Sequence, residues 1–140
     1  MVTAKEILLL KKMRNNSRKS LNSLSKELDI PTSTLFDTLK KLESEVIIRH
    51  TSLVDFSKLG YGIKVIFSIN TNQKKDLREF LIVNENVNSL SSLINGFQAE
   101  CVFRDLKEMT EFKERLKKFE IEELKEFFIV DEMKREGFQP

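Results

Sequence analysis

Between residues 20 and 42 apolar side chains recur at helical spacing twice over: Leu21, Leu24 and Leu28, then Leu35, Leu39 and Leu42, with Asp29-Ile30-Pro31 between the sets. Spacings of three and four put each set on one helical face. Proline pushes the residue before it out of the α region and is tolerated only at the start of the helix that follows. The two runs therefore read as two short helices joined by a tight turn. Upstream, Ile7, Leu8, Leu10 and Met13 form a third apolar stripe, opened by Thr3-Ala4-Lys5-Glu6, which has the spacing of a capping box. Ser20 is a natural N-cap for the second helix. Three helices are expected to share one leucine core. After Leu42 the period changes: Val46-Ile47-Ile48-Arg49 and Thr51-Ser52-Leu53-Val54 are β-prone and flank Arg49-His50, which predicts a small hairpin in the position of a wing.

The second half has a different rhythm. Ile63, Val65, Phe67 and Ile69 alternate with Lys64 and Ser68, as in a half-buried strand. Helical spacing returns at Leu77, Phe80 and Leu81. Residues 87–94 and 97–104 are strand candidates on either side of Asn95-Gly96, a strong hairpin dipeptide. Asp105, with Glu108 in capping-box position, opens a helix that lines up Leu106, Met109, Phe112, Leu116 and Phe119. Residues 125–131 make a last strand. The order is strand, helix, strand, strand, helix, strand, the ferredoxin-like βαββαβ arrangement. The predicted class is α+β: a winged helix-turn-helix domain over residues 1–55, a linker over 56–61 and a βαββαβ domain over 62–140. With both helices on one sheet face, Ile66, Leu90, Val102, Phe128 and Val130 are expected on the other. An apolar face of that size predicts burial against a second copy.

Composition narrows the partners. No hydrophobic run in the 140 residues approaches the ~20 needed to cross a bilayer, and the opening MVTAKEILLLKKM is too charged for a signal peptide. A soluble, cytoplasmic protein without a membrane partner is expected. One cysteine, Cys101, and one histidine leave no internal disulfide and no Cys/His zinc cluster. No cofactor is expected, and Cys101 reads as a small buried residue. Residues 1–50 hold 10 Lys/Arg against 6 Asp/Glu, while residues 51–140 hold 14 against 16. The basic excess lies with the helix-turn-helix, as in a module that approaches nucleic acid.

Thr32, Ser33, Phe36, Asp37 and Lys40 lie off the leucine stripe of the third helix, with Thr34 and Lys41 beside them. In helix-turn-helix proteins this end of the second helix of the motif enters the major groove, where short polar side chains reach base edges and phosphates favour the helix N-terminus. Asp37 suits a cytosine amino group; Phe36 suits either a thymine methyl or a place against its own domain. Arg14, Arg18 and Lys19, with Ser20, read as phosphate contacts or as a solvated loop. Arg49 and His50, at the hairpin tip, read as contacts to phosphate or the minor groove, or as an exposed turn. No obvious carboxylate partner accompanies His50, which argues against a metal or catalytic role.

Together with Ile30-Pro31-Thr32-Ser33-Thr34-Leu35, Lys40-Lys41-Leu42-Glu43, Ile47-Ile48 and the linker Lys58-Leu59-Gly60-Tyr61, this layout resembles the Lrp/AsnC family of transcriptional regulators over nearly the whole chain. The resemblance implies a RAM-type C-terminal domain, a homodimer or ring of dimers, and recognition of double-stranded DNA through the helix at 32–41. In many members it also implies a small-molecule effector, an amino acid held between C-terminal domains. Where the family usually has glycine before the wing and at its turn, this chain has Glu45-Val46 and His50. Amino-acid sensors of the family often follow a glycine with an aspartate three residues on, but Gly96 is followed by Phe97-Gln98-Ala99. A zwitterion's ammonium group then lacks its carboxylate, so a conventional amino-acid response is not expected. Gly96 and Gln98 are the candidate effector contacts. Some relatives with this layout are sirohaem decarboxylases, the alternative reading; it needs charged and histidine side chains around a tetrapyrrole, and one wing histidine serves it poorly.

Overall fold

A computed structural model describes all 140 residues, which form two compact units: Met1–Leu53 with Lys134–Pro140, and Val54–Met133. The first unit is helical, with α1 (Ala4–Asn15), α2 (Leu21–Leu28) and α3 (Thr32–Glu45). Its helix starts are set by side chains. The Glu6 N–H donates to Thr3 Oγ1 at 3.3 Å and the Thr3 N–H to the Glu6 carboxylate at 2.8 Å, so the capping box is closed in both directions. Ser20 Oγ accepts the Ser23 N–H at 3.1 Å and opens α2. That helix ends at Asp29, left-handed at φ 53°, and Pro31 stands immediately before α3. Leu9, Leu24, Leu35 and Leu42 are fully buried, with Leu10, Met13, Leu21, Leu28, Ile30, Leu39 and Ile47 packed around them.

The predicted wing hairpin does not form: no strand is present between α3 and the second unit. Of its apolar residues only Ile47 joins the helical core, while Ile48, Leu53 and Val54 are exposed. An isolated pair of strands with no face to bury is marginal in water. The tail, placed with the second domain on the sequence, packs instead on the first unit. Arg14 donates to the carbonyls of Phe138 (2.7 Å) and Glu136 (2.8 Å), and Gln139 to Asn15 Oδ1 (3.0 Å).

The second unit opens with a turn of 3-10 helix, Phe56–Leu59, capped by Asp55, whose carboxylate accepts the Ser57 N–H at 3.1 Å. Then come β1 (Ile63–Asn70), α4 (Lys74–Val83), β2 (Val87–Leu93), β3 (Gly96–Phe103), α5 (Leu106–Leu116) and β4 (Glu123–Phe128). The sheet is antiparallel in the order β2-β3-β1-β4, the ferredoxin-like topology expected from the pattern. Val65, Phe67 and Ile69 of β1 and Phe97, Ala99, Cys101 and Phe103 of β3 are buried with Leu77 and Leu81 of α4 and Met109, Phe112 and Leu116 of α5.

Two details of register depart from the sequence reading. The hairpin turn is Ile94-Asn95, because Gly96 already pairs with Leu93 and Asn70. The last strand begins two residues early, and its frame inverts the expected faces: Phe128 pairs with Val65 and Leu90 with Ala99, on the helix-covered side, whereas Phe127 pairs with Ile66 on the outer side. The outer face is accordingly mixed. Ile66, Val102 and Phe127 share it with Ser68, Gln98, Lys125 and Lys64, and Lys64 bridges Glu132 at 2.6 Å and Glu100 at 3.8 Å. The broad apolar face expected there is absent.

Candidate nucleic-acid interface

Once Leu35, Leu39 and Leu42 turn inward, α3 carries Ser33, Phe36, Asp37 and Lys40 on its outward side, all exposed. This follows from helical spacing, since those four recur at three and four. Thr32 opens the helix, and its hydroxyl donates to Asn22 Oδ1 of α2 at 3.3 Å. Asn22 was not singled out on the sequence, because a lone polar residue in the first turn of α2 has no local signal. Thr34 is half-buried, and its carbonyl accepts the Thr38 hydroxyl at 2.8 Å. Phe36 does not fold onto its own domain: it is 50% exposed, and the Lys40 ammonium stands 5.2 Å from the ring centroid, a cation–π pair at i, i+4.

Lys41 is placed differently from its neighbour. Its ammonium pairs with the Glu6 carboxylate of α1 at 2.7 Å, and Glu6 is only 6% exposed. The hydrogen bond from Lys41 holds the Glu6 carboxyl below its ordinary value, and the same bond raises the Lys41 ammonium. Lys41 therefore braces α1 against α3, while its side chain stays 44% exposed. Two of the expected loop cations are likewise committed. Lys19 and Lys12 both pair with Glu27, whose carboxyl is lowered first by Lys19 and then by Lys12. Arg14 is held by the tail, with Glu136 Oε2 at 3.7 Å in addition to the two carbonyls.

Arg18 and His50 are brought together. They line one open groove of about 390 Å³ with Met13, Leu39 and Glu43. Against expectation His50 has a carboxylate partner: its Nε2 lies 3.0 Å from Glu43 Oε1. Glu43 follows Lys40 by three residues, so helical spacing could have pointed to it had the course of residues 46–50 been known. Arg49 is exposed, and Ser20 is spent on capping α2. Lys40 is the cation that stands beside Phe36 on the outward face, and Arg18 and Arg49 are exposed elsewhere in the same unit.

The two candidate effector residues lie two apart on β3, in the same alternation. Gln98 is exposed on the outer face of the sheet, whereas Gly96 is buried, and a Cβ on it would stand 1.7 Å from the Ile69 carbonyl oxygen. Gly96 is a packing residue, required by the close approach of β3 to β1. No helix of the chain is long and apolar enough to cross a membrane.

No family model matches the chain. Among curated proteins it is similar to an uncharacterised HTH-type transcriptional regulator of Pyrococcus horikoshii, 23% identical over 136 residues that cover 94% of this chain and 92% of the relative. Among solved structures it is similar to an AsnC family transcriptional regulator from Agrobacterium tumefaciens, with a TM-score of 0.85 and 21% identity over 99% of this chain and 97% of that one. A Neisseria meningitidis transcriptional regulator in complex with L-Met matches with a TM-score of 0.85 and 19% identity, over 96% of this chain and 94% of that one. The helical unit and the βαββαβ unit occur together in these structures, and the chain has the fold of the Lrp/AsnC transcriptional regulators along almost its entire length.

Proposed function

We propose that this chain is a sequence-specific DNA-binding transcriptional regulator of the Lrp/AsnC type that acts as a homodimer or larger assembly of copies on double-stranded DNA in the cytoplasm. The observation that carries the reading is the outward face of α3: Thr32, Ser33, Phe36, Asp37 and Lys40 stand clear of a core already filled by leucines. The helix N-terminus beside them favours phosphate, and the side chains that follow it are of base-reading type. Dimerisation places two such helices on one duplex, and Ile66 and Phe127 on the outer sheet face are the apolar centre of the contact between copies. The sirohaem decarboxylase alternative has no support among the neighbours, and His50, the one histidine, is occupied by Glu43.

Selection of bound sequences from a random duplex pool, followed by gel retardation, tests the reading. A pseudo-palindromic consensus with half-sites about one helical turn, ~10 base pairs, apart is expected. A pool that yields no enriched sequence sinks it. L-methionine, present in the Neisseria complex, is the first effector to add. Because residues 97–99 supply no carboxylate for its ammonium group, it is expected to leave DNA binding unchanged.

A further inference from the structure

We infer that Phe36 is a specificity-determining residue, seating its ring on the 5-methyl group of a thymine in the major groove while Lys40 holds the ring in place. The inference rests on the DNA-binding reading and names what the outward face of α3 reads.

The core of the helical unit is complete without Phe36, since Leu35, Leu39 and Leu42 fill the inner side of α3. The ring is 50% exposed at the centre of a face whose other members, Ser33, Asp37 and Lys40, are polar or charged. A single aromatic ring ringed by polar groups is too small an apolar area for a protein partner. It matches the one apolar group on the base edges of the major groove, the thymine methyl; every other distinguishing feature there is a hydrogen-bond donor or acceptor. The Lys40 ammonium, 5.2 Å from the ring centroid, restricts the ring before DNA arrives, so little rotamer freedom is lost on contact.

The experiment removes the methyl from the DNA and leaves the protein intact. In the selected duplex each thymine is replaced in turn by uracil, and affinity is measured for the parent chain and for Phe36→Ala. At one thymine per half-site the parent is expected to bind the uracil duplex about fourfold more weakly, the worth of burying one methyl-sized group. Phe36→Ala binds both duplexes alike. The inference is overturned if the parent binds every uracil duplex as tightly as the original, or if Phe36→Ala keeps the full discrimination. In both cases the DNA-binding reading stands. A pool that yields no bound sequence removes that reading and this inference with it.

Discussion

Lys40 and Lys41 are adjacent in sequence and face different surroundings, which makes them a test of the site at the scale of single residues. Lys40 is on the outward face over Phe36, whereas Lys41 is tied to the sheltered carboxylate of Glu6. Lys40→Ala is expected to leave stability within about 0.5 kcal/mol, as surface substitutions do, and to lower the slope of log affinity against log salt by about 0.9, one phosphate contact. Lys41→Ala is expected to keep that slope and lower the thermal stability of the helical unit, because Glu6 loses its partner. Salt titrations and melting curves on both variants separate the two roles; interchanged results would reverse the assignment. The pair also has a pH signature. The Glu6 carboxyl is depressed from 4.5, so its contribution is complete at neutral pH and is lost as pH falls through the lowered value. Melting temperatures of the parent and Glu6→Gln should therefore differ most near pH 7 and converge on acidification below about 4.5. The sequence displayed the half of this arrangement that is local: Thr3 and Glu6, three residues apart, announce their capping box. It could not display the half that depends on packing, since Lys41 lies 35 residues from Glu6 and meets it only once α1 and α3 share a core.

At the scale of elements the same division holds, and it separates what starts an element from what frames it. Thr3, Ser20 and Asp105 cap the helices they were expected to cap, because a cap is a contact between residues two or three apart. The wing and the last strand depended on distant partners. Residues 46–54 have β-prone side chains but only Ile47 reaches a core, and Phe127-Phe128 offers an apolar residue to either face, so alternation alone could not choose the frame of β4. Two substitutions probe how tightly the elements are fixed. In Gly96→Ala the new Cβ meets the Ile69 carbonyl at 1.7 Å, where backbone rather than a flexible side chain must move. A loss of about 1–3 kcal/mol or more in urea unfolding is expected, and a neutral result would mean that β3 and β1 part easily there. Asp29→Gly acts in the other direction. Asp29 holds a left-handed backbone at φ 53° after α2, a conformation that costs glycine nothing, so a gain of up to about 1 kcal/mol is expected in the same measurement.

Over the whole molecule the two units have cores of unequal depth, and the single cysteine makes the difference measurable. The helical unit centres on four fully buried leucines, whereas the sheet unit buries twelve residues, Phe67, Phe97, Phe103 and Phe112 among them. Small cores are marginal, because little of the surface their chains expose can be removed from water. Leu35, fully buried in the smaller core, is the residue whose truncation should tell: Leu35→Ala removes about 2–5 kcal/mol, a large part of what such a unit has. Cys101 reports on the other core. It is fully buried in β3, and burial pushes its thiol up to about 12, so the native protein is expected to resist a thiol reagent at pH 8. In Leu35→Ala, helical circular dichroism and retardation of the selected duplex should both fall while Cys101 stays unreactive, because the sheet core does not draw on Leu35. In a urea titration of the parent, part of the helical signal should be lost before the thiol becomes reactive. If Cys101 reacts in Leu35→Ala as fast as in denatured protein, or if both signals of the parent change at one urea concentration, the two cores unfold as one and each depends on the other for its stability.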